Sequence, residues 1–268
     1  MEMWRWIESE AADGATNMAI DQALLENTET NSRPAMRVYG WFPYCISLGY
    51  HQSEDDIDFD LCRKKHIDVV RRPTGGRAVL HAEEITYAVI VPQSASIFQR
   101  SVTAVYNLIS LGLLTGIKKL GIPANFAKRS IDLRDHYKKV ESVSCFSASA
   151  RNEIVVNGKK LVGSAQRRFH GNILQHGSIL LGSAHLELPE LINKSDSQLR
   201  QRMRTELMNK TVSLCQCLGR EISFKEVVDN IKKGMEETLS IQFAEGNLTI
   251  QERESSERLK ERFSILSC

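Results

Sequence analysis

Apolar residues recur along the chain with two periods, one typical of helices and the other typical of strands. A helical period begins after Asp13 and Thr16, either of which can cap a helix, and continues to about Leu25. A second helical period follows Ser101, another residue type that favours the cap position. These two segments predict amphipathic helices that pack against a core.

Short apolar runs separated by turn residues predict antiparallel strands between and after these helices. The Asn-Gly pair at residues 157–158 is the strongest hairpin signal in the chain. A second hairpin is expected around residues 170–172, and a third around residues 40–43, which separate two further apolar runs. Many short hairpins without strict strand-helix alternation indicate an α+β fold with mostly antiparallel mixed sheets flanked by helices.

The pattern changes beyond Pro189, where charge and helical spacing dominate. Ser223-x-x-Glu226 and Thr249-x-x-Glu252 are capping-box sequences that precede amphipathic segments. We therefore expect residues 1–185 to form the main domain and residues 186–268 to form a helical C-terminal appendage packed on it.

Composition and charge narrow the function classes. The chain has 268 residues, 42% of them hydrophobic, and a formal net charge of +2, which favours neither a nucleic acid nor an anionic membrane as partner. It lacks an apolar run of about eighteen residues and a basic leader followed by one, so we expect a cytoplasmic protein. Cys215-x-Cys217 has no second pair to complete a tetrahedral site, and no metal is predicted.

The polar loop within residues 69–91 has the composition of a ligand cradle. Gly75 and Gly76 let the backbone approach a ligand closely, and successive amide groups there can face an anion or a carbonyl. Positive charge around the loop comes from Arg71, Arg72 and Arg77. A simple glycine turn with solvated arginines fits the same residues equally well, so this segment alone does not distinguish a ligand-binding loop from a turn.

Cys145 and Lys160 are candidate catalytic residues. The hairpin at residues 157–158 can fold Lys160 back toward Cys145, where an ammonium group would stabilise a thiolate. A thiol with an ordinary pKa of about 8.5 is mostly protonated at neutral pH, so such help matters. From spacing alone a small buried cysteine is the more frequent case, and both interpretations remain open.

Several motifs together resemble those of the lipoate-protein ligase and octanoyltransferase superfamily. Residues 71–81, Arg-Arg-Pro-Thr-Gly-Gly-Arg-Ala-Val-Leu-His, resemble its signature sequence. Residues 17–21 resemble its first-helix motif, and residues 47–52 resemble its second strand and the turn after it. Residues 158–166 resemble its lysine motif, and residues 175–180 resemble its His-Gly strand. Ser-Cys-Phe at residues 144–146 resembles the cysteine motif of the octanoyltransferases of Gram-positive bacteria, whereas ligases are not expected to carry a cysteine there.

The resemblance implies a biotin/lipoyl ligase-like catalytic domain in residues 1–185. It implies transfer of an octanoyl group from acyl carrier protein, through a thioester on Cys145, to the lysine of a lipoyl domain or a glycine-cleavage carrier protein. Lys160 would help to deprotonate the thiol or the incoming amine. This reaction needs no cofactor, and we expect a monomer.

Two alternatives remain open. One is an ATP-dependent lipoate-protein ligase, which would need ATP and Mg²⁺ and would form a lipoyl-adenylate. The other is a non-catalytic homologue that only binds a lipoyl or acyl group.

The resemblance also assigns substrate-binding residues, and the chain departs from the family pattern beside two of its motifs. The assigned residues are Arg71, Arg72, Thr74, Gly75, Gly76, Arg77, Ala78, His81, Gly163, Ser164, Ala165 and His176. His81 is followed by Ala82, where the family commonly has Asp, which puts an orienting hydrogen bond to His81 in doubt. The loop after Cys145 lacks a proline often found there, which leaves the acceptor protein open.

Overall fold

The chain forms two β-sheets with helices packed around and between them. The structure is a computed structural model that describes residues 1–28, 33–127, 153–169, 171–193 and 196–268. The strands of the described ranges are β1 (Glu2–Glu8), β2 (Ala35–Tyr39), β3 (Cys45–Leu48), β4 (Asp68–Arg71), β5 (Val79–His81), β6 (Glu84–Val91), β7 (Asn125–Phe126), β8 (Ile154–Val156), β9 (Lys159–Phe169), β10 (Asn172–Leu180), β11 (Ile241–Glu245) and β12 (Ser264–Leu266).

Longer helices alternate with these strands and dominate the C-terminal third. The α-helices of the described ranges are α1 (Gly14–Glu26), α2 (Phe59–Lys64), α3 (Val102–Lys119), α4 (Ser197–Lys210), α5 (Leu214–Leu218), α6 (Phe224–Leu239) and α7 (Ile250–Phe263). Short 3₁₀ segments occupy Glu54–Asp56, Ser96–Gln99 and Ala184–Leu191. Within the described residues, no helix has both the length and the apolar character that crossing a membrane requires.

The predicted mixed, mostly antiparallel sheets are confirmed. The eight-stranded sheet has the order β11-β1-β2-β6-β10-β9-β8-β7, and the four-stranded sheet has the order β12-β4-β3-β5. β1 pairs in parallel with both β11 and β2, and β3 pairs in parallel with β4, whereas the other neighbouring strands are antiparallel.

Two of the three predicted hairpins are present. Asn157 and Gly158 have φ angles of 50° and 76° and join β8 to β9, as a two-residue turn of the Asn-Gly type requires. β9 and β10 form the second hairpin. The hairpin predicted around residues 40–43 is wrong, because β2 and β3 belong to different sheets. Trp41 forms a bridge with Ala12, and the chain passes there from one sheet to the other.

Side-chain caps begin the helices where the sequence predicts them. Asp13 Oδ1 accepts a hydrogen bond from the backbone N–H of Thr16 at 2.8 Å, and Ser101 caps α3 in the same way. Thr249 and Glu252 form the full reciprocal capping box of α7.

The C-terminal residues form more than helices. α6 packs on α3, as an appendage on the main domain would, but β11 adds a parallel strand to the edge of the large sheet and β12 pairs with β4. The sequence analysis predicted neither strand, because each is short and half exposed and lacks a clear alternation. The boundary at residue 185 stays a prediction.

Three large apolar cores and one small one hold these layers together within the described residues. α3 and α6 cover one face of the large sheet over a core that includes Trp4, Trp6 and Tyr87. α1 and α7 lie against the other face in a second core, which reaches the small sheet through Cys45 and Val70. A third core joins the small sheet to α2 and α4.

The crossing of α3 and α6 depends on glycine. A Cβ atom added at Gly234 of α6 would lie 2.2 Å from the backbone nitrogen of Gly116 and 2.6 Å from the carbonyl oxygen of Gly112. Both neighbours belong to the backbone of α3, so neither can move aside as a flexible side chain would.

We therefore expect Gly234→Ala to lower the free energy of unfolding by about 1 to 3 kcal/mol, although alanine is normally the better helix former. Urea unfolding followed by circular dichroism measures the change. Gly246→Ala is the matched control, since its added Cβ would meet ordinary contacts at 3.7 Å or more. A Gly234→Ala protein as stable as the wild type would contradict this account of the crossing.

Candidate functional site

A small cavity lies between the two sheets, beside α1. Its volume is about 40 Å³. Its walls come from both sheets, because β2, β6, β9 and β10 of the large sheet and β3 and β5 of the small sheet all contribute residues. The lining residues are Met18, Tyr39, Trp41, Ser47, Arg72, Val79, His81, Thr86, Gly163, Ser164, Ala165, His176, Gly177 and Ser178.

An aromatic stack forms one wall of the cavity. The Trp41 indole lies parallel to the His81 ring, with 4.1 Å between the ring centroids and 12° between the planes. The Tyr39 ring lies 5.6 Å from the Trp41 ring at a tilted angle. With Met18 and Val79, these rings present apolar surface toward the cavity, which suits a hydrocarbon chain better than a polar ligand.

Arg72 lines the cavity and braces the loop that follows it. Its guanidinium is buried and donates to the carbonyl oxygens of Ser47 at 2.7 Å, Gly75 at 3.0 Å and Arg77 at 2.6 Å. It also donates to the Ser47 hydroxyl at 3.0 Å. The fixed fork of donors on arginine suits several carbonyl groups at once. Arg72 therefore fixes the shape of the loop through its backbone.

Both ring nitrogens of His81 are engaged. Nδ1 lies 2.7 Å from Glu84 Oε1, and Nε2 lies 2.7 Å from the Ser47 hydroxyl. A carboxylate can only accept, so Nδ1–H donates to Glu84, and the Ser47 hydroxyl is the hydrogen-bond partner of Nε2. The orienting hydrogen bond that Ala82 put in doubt is thus present, and Glu84 supplies it in place of the residue that follows the histidine.

Glu84 is the centre of a wider buried network. Its Oε1 also accepts hydrogen bonds from the hydroxyls of Thr86 at 2.6 Å and Ser178 at 2.8 Å. The Trp41 indole N–H donates in turn to the Thr86 hydroxyl at 2.7 Å. The ring stacked on His81 and the carboxylate bonded to it are therefore fixed together, which keeps the cavity wall rigid.

His176 is the centre of a second polar group in the cavity wall. Its Nε2 lies 2.6 Å from the Thr74 hydroxyl, and its Nδ1 lies 3.6 Å from Asp21 Oδ2. Burial lowers the pKa of His176, and the Asp21 carboxylate offsets this only in part. Burial by itself raises the pKa of Asp21, but the contacts with His176, Arg37 and Tyr39 outweigh it and hold that pKa below its ordinary value. His176 is therefore neutral at neutral pH.

Lys160 and Glu153 form a buried ion pair near the start of β9. Lys160 Nζ lies 2.5 Å from Glu153 Oε1, and the two residues are only 3% and 5% exposed. The backbone carbonyl of Lys160 accepts from the N–H of Val212 at 3.0 Å, which fixes the strand from outside the sheet. An ion pair this deeply buried is costly to form and is lost only at a large penalty.

A register shift in the pairing of β8 with β9 lies beside this pair. Ile154 pairs with Val162, but Val155 pairs with Lys160, so Leu161 is an extra residue of β9. Regular alternation from the cavity residues Gly163 and Ala165 would put Lys160 on the opposite face of the strand. The extra residue interrupts this alternation between Lys160 and Gly163, just before β9 reaches the cavity.

The structure brings together half of the substrate-binding residues predicted from the sequence. Cavity walls contain Arg72, His81, Gly163, Ser164, Ala165 and His176, and Thr74 supports His176 from behind. Cys145 lies outside the described residues, so its pairing with Lys160 stays a prediction.

The remaining predicted residues lie at the end of β4 and in the loop that follows it, beside the cavity. Arg71 donates to the carbonyl oxygen of Gln52 at 2.7 Å and pairs with Glu54 at 2.7 Å, which ties down the turn after β3. Gly76 has a φ angle of 104°, Ala78 is buried, and Gly75 and Arg77 supply the carbonyl groups that Arg72 holds.

Sequence reasoning missed several site residues. Glu84 and Glu153 gave no motif, although a carboxylate within or next to an apolar strand is itself a signal of a buried partner. Asp21 and Ser47 lay within segments singled out for their resemblance, without an assigned role. Trp41 was assigned to a turn.

Comparison with known proteins places the chain in a family. The profile of the lipoyl protein ligase A/B catalytic domain matches residues 13–236. Octanoyltransferase LipM of Kyrpidia tusciae is 38% identical over 265 residues, with 98% of this chain and 97% of the relative covered. The enzyme of the same name from Halalkalibacterium halodurans is 40% identical over 267 residues, with coverages of 98% and 97%. That from Bacillus subtilis is 39% identical over 263 residues, with coverages of 97% and 95%.

Solved structures show the same fold at lower identity. A lipoate-protein ligase A bound with ATP superposes with a TM-score of 0.77 at 21% identity, covering 98% of this chain and 95% of that one. A bipartite lipoate protein ligase from Thermoplasma acidophilum gives a TM-score of 0.78 at 20% identity, with coverages of 98% and 93%. The predicted resemblance is confirmed, and the chain belongs to the lipoyl protein ligase A/B catalytic domain family.

Proposed function

We propose that this protein is an octanoyltransferase of protein lipoylation, which moves an octanoyl group from acyl carrier protein to the lysine of a lipoyl carrier protein. The observation that carries the proposal is the match over nearly the whole chain, at 38–40% identity, to enzymes named octanoyltransferase. The ligase structures are only 20–21% identical and indicate the fold alone.

The proposed reaction proceeds in two exchanges on Cys145. The thiolate attacks the carbonyl carbon of the donor thioester, the bond from that carbon to the donor sulfur breaks, and the donor thiol leaves with a proton. The acceptor amine then attacks the new thioester, an amide bond forms, and the Cys145 sulfur is released. The proton lost by the amine balances the proton taken by the donor thiol.

We assign to Lys160 the stabilisation of the thiolate and the transfer of the proton in these two exchanges. As the ammonium partner of Glu153, it offers a fixed positive charge that stabilises a nearby thiolate and a proton for the leaving sulfur. The deep burial of the pair excludes water, which strengthens both effects.

The cavity supplies the place for the acyl chain. Met18, Tyr39 and Val79 present apolar surface, and each methylene group buried there contributes about 0.8 kcal/mol. His81 is held at both ring nitrogens, so we assign it to the wall and not to proton transfer. The reaction as proposed needs neither ATP nor a metal ion.

Incubation with octanoyl-acyl carrier protein, without ATP, is expected to add one octanoyl group to the protein as a hydroxylamine-sensitive adduct. Intact-protein mass spectrometry detects it. Cys145→Ala should abolish the adduct because it removes the attacking sulfur, whereas Cys215→Ala, which changes a half-buried cysteine of α5, should not. An adduct that survives Cys145→Ala would refute the thioester. A product that requires ATP and free octanoate would indicate a ligase instead.

The Lys160–Glu153 ion pair gives a second prediction, in which a double variant regains stability but not activity. Glu153→Gln removes the carboxylate that lies against the buried Lys160 ammonium, and we expect it to lower the free energy of unfolding by about 3 to 5 kcal/mol. Adding Lys160→Met to Glu153→Gln should recover most of this loss, since both charges of the pair are then removed, yet acylation should stay at least about 100-fold slow. Urea unfolding and timed mass spectrometry measure the two effects.

The partly exposed pair of Glu206 and Lys210 provides the control for that prediction. Glu206→Gln should change stability by about 1 kcal/mol at most, because water already solvates both groups. Full acylation activity in the double variant would remove Lys160 from the mechanism.

His176 gives a third prediction, for pH. Its pKa in the folded protein is lowered, so below the ordinary value of about 6.5 the unfolded chain binds a proton that the folded chain does not. The free energy of unfolding should therefore fall as the pH drops below about 6.5. Urea unfolding between pH 7.5 and 5.5 should show a shallower fall in His176→Gln, and an equal slope in both proteins would contradict the assignment.

A further inference from the structure

Helix α4 concentrates positive charge on its outer surface. Four of its residues are basic and one is acidic, so this helix alone carries more formal charge than the +2 of the whole chain. Met203 and Leu207 form its buried side. Its exposed side, which we call the α4 face, consists of Gln201, Arg202, Arg204, Thr205, Met208 and Asn209.

Two of these charges are not neutralised by neighbours. Glu206 pairs with Lys210 within the helix, and Arg200 lies 3.9 Å from Glu190. Arg202 and Arg204 form no ion pair within the described ranges of the chain. Between them the α4 face also exposes 51% of Met208, a flexible apolar side chain of the kind enriched in protein interfaces.

The buried side of the same helix touches the site. Leu207 packs with Val79 and Leu180, and Val79 lines the cavity. The end of α4 is fixed to the strand of the catalytic lysine, because Lys159 Nζ donates to the carbonyl oxygen of Met208 at 3.1 Å. A helix is about 10 Å across, so the α4 face is about one helix diameter from the cavity wall.

We propose that the α4 face docks the acyl carrier protein that delivers the acyl thioester, by attracting negative charge on that partner. The inference rests on the proposed function and names the docking surface for its donor. The thioester of acyl carrier protein is formed on a phosphopantetheine group, which bears an anionic phosphate, whereas the acceptor presents a lysine ammonium group. A face with two unpaired arginines attracts the first and repels the second, which favours the donor as the occupant.

The test compares two donors for the same first step. One is octanoyl-acyl carrier protein, and the other is octanoyl-N-acetylcysteamine, a small thioester that carries no protein and no phosphate. Timed mass spectrometry measures acyl-enzyme formation at low ionic strength. The variant Arg202→Glu/Arg204→Glu should lose about tenfold or more in kcat/KM with the carrier-bound donor, mainly through KM, and keep its rate with the small thioester.

Lys118→Glu/Lys233→Glu is the matched control. It makes the same change in net charge on exposed positions of α3 and α6, which cover the face of the large sheet away from the cavity. We expect its rates to stay within about twofold of the wild type with both donors.

Three results would overturn the inference. They are an unchanged rate with the carrier-bound donor, an equal loss with both donors, and a loss confined to transfer onto the acceptor domain. The last would assign the α4 face to the acceptor. If the wild type forms no acyl-enzyme with either donor, the proposed function fails first, and this inference fails with it.

Discussion

The completely buried ion pair of Asp21 and Arg37 constrains how the layers of this protein fit together. Their side chains are 0% exposed and 2.8 Å apart, and they join α1 to the large sheet. Arg37 also donates to the backbone and side chain of Asn17, while Asp21 accepts from the hydroxyl of Tyr39. Rotating α1 by even one residue would leave a buried charge in the core without its partner. The pair therefore fixes the position of α1 and, through Met18, one wall of the cavity.

The same constraint governs the rest of the site. Each buried polar group near the cavity is held by a partner across a strand or a loop, as Arg72 is by carbonyl oxygens and His81 is by Glu84 and Ser47. Most polar atoms are thus directed into the protein, and rings and aliphatic carbons face the cavity. The residues of the family motifs form the rigid, mostly apolar wall of the cavity, whereas the proposed catalytic residues are Cys145 and Lys160.

Local signals predicted the parts of the structure that depend on neighbouring residues. The turn at residues 157–158, the caps at Asp13 and Ser101 and the fold class follow from the sequence, because backbone conformation and apolar period decide them. The assignment of β2 and β3 to different sheets was missed, since partners distant in sequence decide it. The Lys160–Glu153 pair was missed for a related reason, because the strand pattern does not reveal an extra residue in β9.

The parallel pairing of β1 with β11 has a consequence for the newly made chain. Glu2 of β1 lies beside Ile241 of β11, so strands from nearly opposite ends of the sequence are neighbours in one sheet. β1 leaves the ribosome long before β11, so its outer edge stays uncovered until β11 has been made. A fold closed by such distant contacts completes late and slowly. During synthesis the exposed edge of β1 is a place where a chaperone can act and where another chain can pair wrongly.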